Sequence, residues 1–148
     1  PDVPHNVELF DALLAKIIMK PQDYEVIVTL NEYGDFLSDM ACGLVGSLGT
    51  GASGNYSFND DYSVDIAMFD PAGGTAPDIA GKNIANPSAV LLAFGMLLDH
   101  VDRYDLGHAL RLGLLSAIEA GECTRDLKGK LNTDEFTQVV IDRMKSFL

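Results

Sequence analysis

Over residues 7–20, apolar side chains fall at Leu9, Phe10, Leu13, Leu14, Ile17 and Ile18. That is the i, i+3, i+4 stripe of an amphipathic helix, and Pro21 stops it. Residues 25–30 form a β-branched run around Val26-Ile27-Val28, bounded by turn residues, and predict a short buried strand. A second helix is predicted over residues 34–47, where Ala41, Gly43 and Gly46 suit close approach of another backbone. Residues 49–63 are rich in Gly, Ser, Asn and Asp and predict a flexible loop, followed by a strand over 64–69. An irregular Gly- and Pro-rich connection over 70–86 leads to Asn86-Pro87, an N-cap and first-turn proline for an apolar helix reaching Val101. Another helix is predicted over 106–120. Asn132 with Glu135 has the spacing of a capping box and opens a last helix running to Phe147. Strands and helices are mixed with helix dominant, so the expected class is α/β and layered.

A chain of 148 residues can bury one substantial core. Its formal net charge of −12 argues against nucleic acid, which demands clustered Lys and Arg. The two cysteines, Cys42 and Cys123, form no disulfide framework and read as reduced thiols of a cytosol-like compartment. No apolar run reaches membrane-spanning length and no basic-then-apolar stretch opens the chain, so no membrane partner is expected. The expected location is the cytoplasm, or the mitochondrial matrix in a eukaryote. His5, His100 and His108 lack the flanking pattern of a triad or zinc site, and Lys16 and Lys20 read as solvated.

Candidate chemistry starts at residues 31–39, where Asp35 and Asp39 stand four apart at the start of a helix and share one face. With charges about 6 Å apart at an effective dielectric near 20, their repulsion is roughly 3 kcal/mol. A divalent cation reverses that sign, and two carboxylates plus water and substrate oxygens are a common Mg²⁺ or Mn²⁺ set. The alternative is two solvated aspartates near a helix N-terminus, where negative charge is favoured anyway. One literal match is set aside. Gly49-Thr50-Gly51-Ala52-Ser53-Gly54 fits G-x-G-x-x-G, but a helix precedes it and no helical stripe follows, so a Rossmann dinucleotide fold is not expected.

Three segments in order carry a family resemblance: 31–39 (Asn-Glu-Tyr-Gly-Asp-Phe-Leu-Ser-Asp), 74–87 (from Gly74-Thr75-Ala76-Pro77-Asp78-Ile79 to Asn86-Pro87) and 124–136 (from Thr124-Arg125-Asp126-Leu127 to Glu135-Phe136). Together they resemble the C-terminal portion of the isocitrate and 3-isopropylmalate dehydrogenase family. The resemblance implies the isopropylmalate dehydrogenase-like layered fold. Residues 1–46 would belong to its intermediate, subunit-contacting domain and 47–148 to its large coenzyme-binding domain. It implies metal-dependent oxidative decarboxylation of a small 2-hydroxy acid with NAD, isocitrate foremost. 3-Isopropylmalate and a non-catalytic regulatory subunit are the alternatives.

Asp35 and Asp39 would hold Mg²⁺ or Mn²⁺. Asp11 matches the aspartate that reaches the metal from a neighbouring subunit, which implies a homodimer or larger assembly sharing each site; by spacing alone it is a polar residue edging an apolar stripe. The loop residues Gly74, Thr75, Ala76, Asp78 and Ile79 would hold the coenzyme, although composition alone describes an ordinary turn. Asp78-Ile79 occupies positions where NAD users carry an acidic then an apolar residue, and a carboxylate accepts from a free ribose 2′-OH and repels a 2′-phosphate. Asn86 matches the asparagine at the adenine, and helix capping is compatible with that role.

Departures are also plain: Gly73 stands where the family usually has His, Glu32 replaces an apolar residue, Thr50-Gly51 replaces an apolar residue and alanine, and the 55–66 segment is longer. The family's proton-transfer Tyr and Lys and its substrate-gripping Arg and Ser lie upstream of this region, so no catalytic residue is assigned here. The chain is accordingly expected to be a fragment, a split piece or a subunit of a larger enzyme.

Overall fold

The structure is a computed structural model that describes residues 3–148. Its elements are α1 (Phe10–Met19), α2 (Asn31–Val45), β1 (Ala52–Phe58), β2 (Val64–Pro71), α3 (Ser88–His100), α4 (Tyr104–Glu119) and α5 (Thr133–Met144), with short 3₁₀ turns between some of them. The predicted helices are all present. α1 buries Leu13, and Pro21 opens a 3₁₀ turn after it. α2 begins earlier than its pattern suggests and buries Leu37. It ends at Gly46, whose φ of +110° requires a residue free of a Cβ. There Ser47 N–H donates to Cys42 O and Gly46 N–H to Gly43 O, the paired bonds of a Schellman stop. Phe10 and Tyr33 rings meet at 4.6 Å and join α1 to α2.

Three predicted features differ. Residues 24–30 form no strand, and Val26 and Val28 are 83% and 93% exposed. β-branched residues favour a strand only where a neighbour completes the ladder, and the sheet of the described residues contains β1 and β2 alone. Conversely, the expected 49–63 loop holds β1, which pairs antiparallel with β2 from Ala52↔Pro71 to Phe58↔Val64, with a bulge at Ser57/Phe58. Its small polar residues disguise an alternation in which Gly54 and Tyr56 face α3. Tyr56 meets Phe69 edge-on at 5.6 Å, and Phe69 lies 5.5 Å from the His100 ring. Gly49–Gly54 thus runs from a 3₁₀ turn into a strand and opens no helix, so this is not a Rossmann unit. The backbone approach expected at Gly43 is absent too, since a Cβ there would meet nothing within 4 Å.

The core lies among α3, α4 and α5, where Leu98, Leu110, Leu114, Ala117, Cys123, Phe136 and Val140 are buried together. At Gly113 the backbone of α5 comes so close that a Cβ would sit 2.9 Å from Met144 N. Arg111 forks onto Asp99 at 2.8 and 3.2 Å and ties α4 to α3. The capping box is present: Glu135 N–H donates to Asn132 Oδ1 and Asn132 N–H to Glu135 Oε2, both at 2.9 Å. The hairpin packs on α3, which gives the helices and small sheet of an α/β fold. No helix of the described residues is long and apolar enough to cross a membrane.

Candidate functional site

Asp35 and Asp39 lie one turn apart on α2, both exposed. Ser38 Oγ donates to the main-chain carbonyl of Asp35 at 3.0 Å, and neither carboxylate has a hydrogen bond or ion pair among the described residues. Exposure moves the effective dielectric toward that of water, so at about 6 Å their repulsion is about 0.7 kcal/mol, well below the figure for a dielectric near 20. Asp39 lines a shallow pocket of about 350 Å³ with Leu48, Asp70, Pro71, Ala72, Gly73 and Gly74. Asp70 is oriented there by Ser53 Oγ, which donates to its Oδ1 at 2.7 Å, while Asn55 Nδ2 stands 3.4 Å from the same oxygen.

The donors are hard oxygens on one helical face and free of other partners, which fits a cation that keeps water and substrate among its ligands. Among the described residues no three His, Cys, Asp or Glu side chains converge as a metal-holding cluster. Asp11 does not join the pair within one chain. It is exposed on α1, and its Oδ1 accepts from Ala12 N–H at 2.7 Å.

The connection from β2 to α3 turns sharply at its start, where Gly73 N–H donates to Pro71 O at 2.9 Å. A Cβ at Gly73 or Gly74 would meet nothing within 4 Å, so a ligand can approach this backbone closely; the Gly73 N–H is spent on Pro71 O, and the Gly74 N–H has no backbone acceptor among the described residues. Ala76 takes a φ of +41°, and Ile79 N–H donates back to Ala76 O at 3.0 Å. Thr75, Ala76 and Asp78 are exposed and Ile79 is half-buried. The pocket unites Asp39 with Gly74; Thr75, Ala76, Asp78 and Ile79 follow outside its lining.

Asn86 closes the connection with both ends of its amide engaged. Oδ1 accepts from Ser88 N–H at 2.9 Å and Ser88 Oγ at 2.6 Å, and Nδ2 donates to Asp126 Oδ2 at 2.8 Å. The expected cap is thus shifted by one residue: Pro87 is the N-cap of α3 and offers no side-chain cap, while Asn86, one residue earlier, holds the first amide of the helix. Ser47 Oγ donates to the same Asp126 oxygen. Burial pushes the Asp126 carboxyl up, but Ser47, Thr124 and Asn86 outweigh it and hold the group below its ordinary value. The fully buried Thr124 hydroxyl is near enough for the carboxylate to feel, yet it makes no well-formed hydrogen bond. Asp70, Ser47 and Asp126 received no site role from the sequence. The only signal for them was polar residues at the ends of adjoining segments, which composition cannot tell from ordinary turn formers.

Residues 1–140 match the isocitrate/isopropylmalate dehydrogenase family. The chain belongs to that family. It is 40% identical over 138 residues to an isocitrate/homoisocitrate dehydrogenase of Thermus thermophilus, covering 93% of this chain and 40% of the relative. Against the mitochondrial alpha subunit of NAD isocitrate dehydrogenase from Homo sapiens it is 37% identical over 145 residues, covering 97% of this chain and 38% of the other. The crystal structure of isocitrate dehydrogenase from Methylococcus capsulatus superposes with a TM-score of 0.84 at 35% identity, over 93% of this chain and 40% of that one. The apo β-decarboxylating dehydrogenase from Thermococcus kodakarensis gives 0.78 at 36% identity, over 92% and 39%. The isocitrate/isopropylmalate dehydrogenase fold expected from the three segments is thus established. The chain spans about 40% of the length of these family members.

Proposed function

We propose that this chain supplies the metal and coenzyme loops of an NAD-dependent decarboxylating dehydrogenase acting on a 2-hydroxy acid, with isocitrate as the substrate and 2-oxoglutarate as the product. The observation that carries the reading is the pocket that Asp39 and Asp70 line together with Gly73 and Gly74. An unpaired metal-type carboxylate, Asp39, and the unengaged Gly74 amide on one concavity suit a reaction that passes a hydride from a chelated hydroxyl to a dinucleotide. A bound Mg²⁺ or Mn²⁺ would supply Lewis-acid stabilisation of the negative charge that develops on substrate oxygen.

The chain's own residues hold and orient. Asp39 in the pocket and Asp35, one helical turn before it and outside the pocket lining, offer unpaired carboxylates to the cation, and Asp11 of a neighbouring copy completes the set in a homodimer or larger assembly. Gly74, Thr75 and Ala76 offer backbone donors to the coenzyme. The exposed Asp78 carboxylate accepts from a ribose 2′-OH and disfavours a 2′-phosphate, which selects NAD. Residues 1–46 belong to the subunit-contacting domain and 47–148 to the coenzyme-binding domain. No proton-transfer residue is placed in this chain, so the 148-residue chain alone produces no NADH.

A non-catalytic subunit of the same fold is the second reading. It is favoured by Gly73, which offers no side chain to the coenzyme where the family usually has His. Mn²⁺-dependent NADH production from isocitrate, with the rest of the family fold in place, separates the two. Turnover abolished by Asp35→Asn supports the enzyme. Absence of metal-dependent turnover, with unaltered assembly, supports the regulatory subunit.

A further inference from the structure

We infer that Ser47 is a positioning residue through which the aspartate-bearing helix and the coenzyme loop act as one mechanical unit. The inference rests on the reading of those two segments given above. The C-terminal half of α2 and the short segment after it grip the 72–86 connection at both its ends. At the entry, a Cβ on Gly51 would lie 2.8 Å from Cys42 Sγ of α2 and 2.9 Å from Ala72 Cβ, and Ala72 N–H donates to Gly51 O at 2.9 Å. At the exit, a Cβ on Gly49 would lie 2.9 Å from Asn86 Cβ, so backbone is pressed against that side chain.

Between these contacts stands Ser47, immediately after the Gly46 stop. Its hydroxyl accepts from Gly49 N–H at 3.0 Å and donates to Asp126 Oδ2. Asn86 Nδ2 donates to that same oxygen at 2.8 Å, and Asn86 Oδ1 is held by the fully buried Ser88. One carboxylate oxygen therefore joins the end of α2 to the last residue of the coenzyme loop. A helix moves as a rigid body and close-packed contacts do not stretch. A shift of α2 that accompanies cation binding at Asp35 and Asp39 is therefore passed to Ala72 and Asn86 together. By linkage, the coenzyme then favours cation binding by the same factor.

The test is a set of NAD titrations by calorimetry, with and without saturating Mn²⁺, on the protein with the rest of the family fold in place. Wild type is expected to bind NAD about 10-fold tighter with Mn²⁺, within the range usual for coupled sites. Ser47→Ala is expected to keep Mn²⁺ and NAD binding, each measured alone, within about twofold of wild type, while the factor between them falls toward one. Ser47→Thr keeps the hydroxyl and restores the factor, which loss of folding stability would not explain. Asp126→Ala, which removes the oxygen that accepts from both Ser47 and Asn86, carries the same expectation should Ser47→Ala fail to fold. An unchanged factor in the folded variants, or independent binding in wild type, overturns the coupling and leaves the site reading intact. Failure of wild type to bind Mn²⁺ or NAD overturns both.

Discussion

Replacing Asp35 by Asn should reverse its effect on stability when a cation is added. Without metal, the wild-type protein carries two exposed carboxylates one helical turn apart, with no partner among the described residues. At about 6 Å in a water-like dielectric their repulsion costs about 0.7 kcal/mol. Asp35 is the fifth residue of α2, beyond the first turn where the helix dipole rewards negative charge, so little is lost with it. In EDTA the variant should be equal to wild type or more stable by under about 1 kcal/mol. At Mn²⁺ a hundredfold above its dissociation constant, wild type gains about 2.7 kcal/mol by mass action. The variant, holding a single carboxylate of the pair, gains little. Wild type should then be the more stable by about 2 kcal/mol, which is about 2–4 °C per kcal/mol for a chain of this size. Thermal unfolding of both proteins in EDTA and in Mn²⁺ reads the crossing directly. Equal gains from Mn²⁺ in both proteins would refute the assignment of Asp35 as a ligand.

Three further outcomes follow from the geometry. Gly73→His fits without displacing anything, since a Cβ there meets open space, and should tighten NAD several-fold with no loss of thermal stability; unchanged or weaker binding would remove Gly73 from the coenzyme side. Phe136→Ala empties the centre of the α4–α5 core, where Phe136 is fully buried, and should cost about 3–5 kcal/mol in denaturant unfolding; a loss under about 1 kcal/mol would mean the core is misplaced. The Asp126 carboxyl is held below its ordinary 3.8, so its contribution is complete above that value and fades as pH falls through the lower folded-state value. The melting difference between wild type and Asp126→Asn should therefore be constant from pH 6 to 8 and shrink below about pH 4; a difference unchanged into strong acid would dismiss the clasp.

What the residues disclosed, and what they hid, divides along physical lines. α1 was legible from apolar residues that recur with the helical period, although of these only Leu13 is fully buried, and α5 because Asn132 and Glu135 satisfy each other's backbone locally. Residues 24–30 misled because a strand is a relation between segments: Val26 and Val28 have the right shape, and no described neighbour pairs with them. β1 escaped notice for the converse reason, since Ser53, Gly54 and Asn55 carry little apolar signal and take their register from β2. Asp35 and Asp39 were visible as a pair through helical spacing alone. Their neighbour Asp70 and the meeting of Ser47, Asn86 and Asp126 depend on contacts between residues far apart in sequence, which no local pattern encodes.

In the proposed enzyme the two α2 aspartates and the Gly73–Gly74 turn serve one metal and coenzyme site, although only Asp39 of the pair lines the pocket with that turn. Anomalous diffraction at the manganese edge, from crystals of the complete enzyme grown with Mn²⁺ and NAD, tests it most directly. The expected result is a peak bonded to Asp35 and Asp39, with the dinucleotide lying along residues 73–79. A peak held elsewhere, or a dinucleotide remote from the 73–79 turn, would contradict it.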